Sequence, residues 1–206
     1  MSHKFKRTLE DLTRERVAGP PPSFTLFHLL TALELIAHEP IGRNKLAEAM
    51  QIGEGAIRTI ISRLKDAGLI KTEKAGCLLT EKGMRIWKEY STVFKKTEME
   101  KNELTPAEHN FAILIRNHGE HVRSGMEQRD AAIMMGAKSV TTMVLRDKRL
   151  AIPSVSSDVV NDFPDAAKQT ITLLDPQEND AVVICGASDL KKAEYGALAA
   201  AWTLLD

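Results

Sequence analysis

Cysteine is nearly absent from this chain, which has two, Cys77 and Cys185, in 206 residues. They stand far apart and show no metal-type spacing. That argues against a disulfide framework or a cysteine-based zinc module and for free thiols. No run approaches the roughly 20 apolar residues that cross a bilayer as a helix. The opening Met-Ser-His-Lys-Phe-Lys-Arg lacks the apolar core of a signal peptide, so the expected location is cytoplasmic, with no membrane partner. Catalytic signatures are missing too. There is no glycine-rich dinucleotide or phosphate loop, no nucleophile elbow and no metalloprotease histidine pair. No catalytic residue, metal or cofactor is assigned, and a non-enzymatic protein is expected.

Net charge is zero as well, but the charge is unevenly spread. Residues 1–103 hold 18 Lys and Arg against 14 Asp and Glu, and residues 104–206 hold 10 against 14. A basic half joined to an acidic half fits a nucleic-acid binder carrying a separate module. The 43% hydrophobic and 27% charged content is that of a soluble globular chain, long enough for two small domains.

What is present centres on residues 53–65. Read at 3.6 residues per turn, Ile57, Ile60, Ile61 and Leu64 share one side, as in a helix packed on a core. Gly55, Thr59 and Ser62 lie opposite, flanked by Arg58 and Arg63. Such a face has little bulk and carries groups that pair with base edges or phosphate. An ordinary surface helix bearing two arginines is the alternative.

Upstream, residues 1–22 form a basic arm with Lys4, Lys6, Arg7, Arg14 and Arg16, ending in a proline run. Phe5, Leu9 and Leu12 have roughly helical spacing, so a short helix strapped to the domain competes with an arm reaching DNA phosphate. Ser23 is a candidate cap for a helix running to about Glu39. That helix is apolar nearly all round, which predicts a second covering surface, either a partner subunit or the C-terminal half. Arg43 to Met50 reads as a short helix, and a turn at Gln51-Ile52-Gly53 leads into the central one. After Gly68, residues 69–74 and 77–79 read as a hairpin with basic residues near its tip. A helix then opens at Thr80 and is expected to continue over 81–103. Its stripe of Trp87, Tyr90 and Phe94 suits dimerisation, or packing on its own domain.

Arg63-Leu64-Lys65-Asp66-Ala67-Gly68-Leu69-Ile70, followed by Leu79-Thr80-Glu81-Lys82-Gly83, resembles the winged helix-turn-helix transcriptional regulators, MarR-like and related prokaryotic repressors, over about residues 23–92. The resemblance implies that the helix from Gly53 enters the major groove of double-stranded DNA. On it, Arg58, Thr59, Ser62 and Arg63 would read bases, joined by Lys65, while Arg43, Lys71 and Lys74 would hold phosphate. Glu54 and Gly55 stand where such helices often carry Ser or Thr. A homodimer would present two such helices to half-sites ~34 Å apart. The alternative is a winged helix that docks a protein.

Residues 93–103 are read as a linker helix and 104–206 as a C-terminal α+β domain for effector binding or dimerisation. Strands are expected at 110–116, 140–145, 150–155 and 181–185. Helices are expected at 125–135, capped by Ser124, at 163–174, and from the Asp189 cap to about Leu205. This βαββαβ order plus one helix is ferredoxin-like. Residues 124–130 and 194–201 also resemble an archaeal type in which a winged helix precedes such a domain. Arg123, Ser124, Glu127, Arg129 and Asp130 crowd one helix start. They are the candidate site for a small anionic effector, with solvated ion pairs as the alternative. His109, His118 and His121 are read as polar loop residues rather than metal ligands.

Overall fold

The computed structural model describes residues 3–14 and 24–205. The chain divides into two compact units, Met1–Ser91 and Thr92–Asp206. The first is mainly helical and the second is built on a five-stranded sheet.

In the N-terminal unit, α1 (Lys4–Thr13) precedes α2 (Leu26–His38), α3 (Arg43–Met50) and α4 (Glu54–Asp66). The hairpin β1 (Ile70–Glu73) and β2 (Gly76–Leu79) follows, and α5 (Glu81–Val93) closes the unit. The expected cap Ser23 and the proline run lie outside the described residues. Thr25 is the N-cap of α2, its N–H donating to His28 Nδ1 at 3.0 Å. The apolar girth of α2 is explained within the unit, because α1, α3, α4 and β2 all pack on it. Phe5, Leu9 and Leu12 of α1 are buried, each side chain contributing roughly 1.5–3 kcal/mol. The N-terminal stretch is thus a strap rather than an arm at least as far as Thr13.

Gln51 takes a left-handed backbone that stops α3 and turns the chain into α4. On α4, Ile57, Ile60 and Leu64 are fully buried, as their spacing required. Gly68, at φ +69°, ends that helix, and the Leu69 N–H reaches back to the Leu64 carbonyl at 2.9 Å. Trp87 and Tyr90 stack at 5.2 Å, Phe5 meets Tyr90 edge-on, and His38 meets Trp87. Trp87 and Tyr90 of the expected stripe therefore pack on their own unit, while Phe94 falls outside α5, as the first residue of a strand.

The expected helix over 81–103 stops at Val93. Residues Phe94–Met99 are β3, an edge strand paired antiparallel with β4 (His109–Ile115). The linker helix at 93–103 is corrected accordingly. Dense charge there reads as a solvated helix, but side chains alternate across the strand and the β4 ladder decides the conformation. After β4 come α6 (Met126–Met134), β5 (Ser139–Arg146), β6 (Arg149–Ala151), α7 (Val159–Asp162), α8 (Pro164–Leu174), β7 (Ala181–Ala187) and α9 (Leu190–Trp202). The expected strand at 150–155 is cut to three residues by the turn that bridges Ile152 to Ser156.

The sheet order is β3-β4-β7-β5-β6, with all neighbours antiparallel. Both βαβ connections are split: β7 lies between β4 and β5, and β5 lies between β6 and β7. From β4 onward the strands and helices follow one another as expected, but β3 precedes them as a fifth strand and two helices, α7 and α8, stand where one was expected. The lateral order differs from a ferredoxin-like sheet, where the first and third strands of the βαββαβ run are central. Here the last and the second are central. All seven residues of β7 are buried, which suits a strand covered on both faces. Ala112, Leu114, Met143, Val182 and Ile184 form a core with α7 and α8 on one face. On the other face α6 and α9 pack together, Gly196 bringing α9 close to Ala132 and Ala137.

Candidate nucleic-acid interface

The outer face of α4 is made by default. Once Ile57, Ile60 and Leu64 turn into the core, Arg58, Thr59, Ser62 and Lys65 turn out, and all four are exposed. Thr59 Oγ1 donates to the Gly55 carbonyl one turn back at 3.1 Å, which leaves the exposed oxygen able to accept. Beside this face lies a cleft of about 340 Å³. It is lined by Arg43 and Asn44 at the start of α3, Arg58 and Ile61 of α4, and Thr72 and Glu73 of the hairpin.

The hairpin is held against the rest of the unit by backbone. Cys77 N donates to the Ile41 carbonyl at 2.8 Å, and Ile41 N to the Cys77 carbonyl at 3.3 Å. Gly76, at φ +128°, makes this possible, since a Cβ there would stand 2.6 Å from the Ile41 carbonyl carbon. Thr80 then ties the far side. Its hydroxyl donates to the Gly68 carbonyl at 2.6 Å and accepts from Gly83 N at 3.1 Å, capping α5 while joining it to the end of α4. Lys82 Nζ adds a bond to the Ala67 carbonyl at 2.7 Å. The Leu79-Thr80-Glu81-Lys82-Gly83 segment thus fixes the hairpin relative to α4.

Of the residues expected to meet nucleic acid, Arg43, Arg58, Thr59, Ser62, Lys65, Lys71 and Lys74 are exposed. Lys71 is not a lone cation, for its ammonium pairs with Glu73 at 2.6 Å. Arg63 is a correction. Its Nη1 donates to the Leu12 carbonyl at 2.5 Å, and its guanidinium lies 5.1 Å from the centre of the Phe24 ring. It clamps α1 and the start of α2. Arg58 and Arg63 flank the outer face, Arg63 bonded to α1 and Arg58 exposed at the cleft. Sequence reasoning missed Asn44, Thr72 and Glu73; no periodicity marks them, because the docking of the hairpin brings them to the cleft. Burial pushes the Cys77 thiol upward, an effect partly countered by the Lys65 ammonium.

The charged residues expected to bind an effector are tied up in exposed ion pairs at the start of α6. Arg123 and Glu127 stand 4.0 Å apart and Arg129 pairs with Asp130 at 3.0 Å, all largely exposed. The N-cap of α6 is Gly125, at φ +78°, and not Ser124, which makes only a 3.4 Å contact with the Met126 N–H. Left-handed backbone at Gly125 places the turn one residue later than a serine cap requires. His121 Nδ1 bonds the Leu204 carbonyl at 2.8 Å, and His118 Nδ1 the Arg116 carbonyl. Among the described residues no group of three or more His, Cys, Asp or Glu side chains is arranged to hold a metal, and no helix is long and apolar enough to cross a membrane.

Both parts of the chain have known counterparts. Residues 25–85 match the family described as PH0730-like, N-terminal domain. Residues 106–204 match a domain of unknown function, DUF4443. Among solved structures, the hypothetical protein PH0730 from Pyrococcus horikoshii OT3 is similar at 26% identity and a TM-score of 0.70, covering 88% of this chain and 93% of that one. The chain is similar to a two-domain archaeal protein along most of its length. No curated protein matches.

Proposed function

We propose that this protein is a sequence-specific DNA-binding transcriptional regulator. Its N-terminal unit is read as a winged helix-turn-helix domain and its C-terminal unit as a variant of the ferredoxin-like module that pairs two copies or senses a ligand. One observation carries the reading. Arg58, Thr59 and Ser62 stand together on the open face of α4, beside a cleft edged by Arg43 and a hairpin that ends in the exposed Lys74. Arginine and hydroxyl groups on a slim helix are the donors that discriminate base edges, while lysines at the margins hold phosphate without reading sequence.

A second reading follows from the carboxylates at the same surface. Glu54 opens α4, and Glu73 both lines the cleft and neutralises Lys71. Acidic groups there repel phosphate and would suit a basic protein partner. Selection of bound fragments from random double-stranded DNA with the full chain separates the two. Enrichment of one motif, with affinity falling steeply as salt rises, supports DNA reading. Recovery of unselected sequence at every salt concentration overturns it.

A further inference from the structure

The sheet of the C-terminal unit ends on two strands of very different quality. β6 is three residues long and runs straight into a turn. β3 is six residues long, with no proline, glycine or bulge to blunt it, and among the described residues no strand lies beyond it. Exposed edges of this kind are normally guarded by lysines. The two lysines here are drawn into their own unit: Lys95 Nζ donates to the Leu174 carbonyl at 3.2 Å, and Lys96 Nζ pairs with Glu194 at 2.6 Å. Beside the edge runs a groove of about 680 Å³ between β3 and α8, lined among others by Met99, Lys168 and the partly exposed Leu173.

We infer that the occupant of this edge is β3 of a second copy, joined antiparallel about Thr97, so that two five-stranded sheets become one of ten. This inference rests on the paired arrangement proposed above and names the surface that forms it. The register follows from hydrogen-bond parity. Arg116 N donates to the Val93 carbonyl, and the β3–β4 pairing continues from there. Residues 95, 97 and 99 therefore turn their backbone groups toward β4, and 94, 96 and 98 turn theirs to the other side. A two-fold perpendicular to the sheet must pair even positions with even ones. Centring on residue 95 or 96 sets Lys95 or Lys96 against its own copy, and centring on residue 98 sets Glu98 against Glu98. Of the registers centred on residues 95 to 98, only the one about Thr97 avoids like charges. It places Lys96 opposite Glu98 of the second copy, twice, with the two threonines facing each other at the axis, both favourable cross-strand pairs. An isologous contact requires this self-complementarity.

The register makes a specific chemical demand. Thr97 faces its own copy in a non-hydrogen-bonded pair, where Cα atoms lie ~4.5 Å apart, within disulfide range. Thr97→Cys in the full chain is therefore expected to form an intermolecular disulfide under mild oxidation, whereas Lys95→Cys, which faces Met99 of the other copy, is not. Both natural cysteines are buried and do not compete. Sedimentation should give wild type twice the 22.8 kDa mass of one chain. Glu98→Pro removes only an outward N–H, and Glu98→Lys sets like charges across the axis. Each should weaken dimerisation by at least about tenfold while leaving the thermal transition in place. If Glu98→Pro unfolds the unit, Glu98→Lys gives the same readout. A monomeric wild type, or a dimer that neither cross-links through Thr97→Cys nor responds to Glu98→Lys, overturns the inference. Anisotropy with a selected DNA motif keeps the two readings apart. A cross-linked dimer without DNA binding sinks only the regulator, and DNA binding by a monomer sinks only this interface.

Discussion

A methyl group on Gly83 would stand 2.0 Å from the carbonyl oxygen of Leu69. The first turn of α5 is therefore pressed directly on the backbone that leaves α4, and the glycine is required by contact rather than by backbone angle. Gly83→Ala must push α5 away and break the Thr80 bonds that depend on that approach. A loss of roughly 1–3 kcal/mol is expected from such overpacking, read as a lower midpoint in denaturant unfolding. An unchanged midpoint would mean that α5 can shift freely and does not hold the hairpin.

Arg58 and Arg63 lie five residues apart and should behave oppositely. Arg58→Ala is expected to reduce discrimination between selected and random DNA by ~1–3 kcal/mol with little change in stability. Lys74→Ala should weaken all sequences evenly and flatten the salt slope. Arg63→Ala should leave sequence preference intact and destabilise the fold by roughly 1–3 kcal/mol, through the orphaned Leu12 carbonyl and the uncovered Phe24 ring. Binding titrations beside thermal melts separate these outcomes. Loss of sequence preference in Arg63→Ala with stability unchanged would contradict the clamp.

Glu194 predicts acid sensitivity of the C-terminal unit. Burial alone would raise its carboxyl, but Lys96 and Lys191, at 2.6 and 3.2 Å, outweigh it and hold the group below its ordinary 4.5. A depressed native value means the carboxylate stabilises the fold above pH 4.5, and that contribution is lost as pH falls through the lower native value. Glu194→Gln should cost roughly 3 kcal/mol at pH 7, because two ammonium groups lose their shared partner. The gap between variant and wild type should close below pH 4.5. A gap constant from pH 7 to pH 3 would assign the loss to packing instead.

Burial pushes both thiols upward, Cys185 strongly within the central strand and Cys77 less so. The thiolate is the reactive form. At pH 7.5 the folded protein should resist alkylation at both positions, with two equivalents incorporated only after denaturation. Rapid labelling of the native chain would show that β2 or β7 opens.

The two sides of α4 show where the sequence was sufficient. Periodicity placed Ile57, Ile60, Ile61 and Leu64 inward and Arg58, Thr59 and Ser62 outward, because a 3.6-residue repeat fixes the second face once the first is buried; Ile61, at the margin, is only half-buried and lines the cleft. The hairpin was legible from Gly68 and the Ala75-Gly76 turn, and the central strand from the unbroken apolar run at 181–185. What tertiary structure decided is what one segment cannot know about another. Phe94–Met99 carries three charges and became a strand because β4 offered it a ladder. Arg63 looked equivalent to Arg58 until α1 covered one flank of the helix, and Glu73 reached the cleft only because Gly76 let the hairpin close on Ile41. The lateral order of the sheet belongs to the same class. Local sequence sets which residues form strands, while the choice of neighbour is made by burial summed over the whole unit.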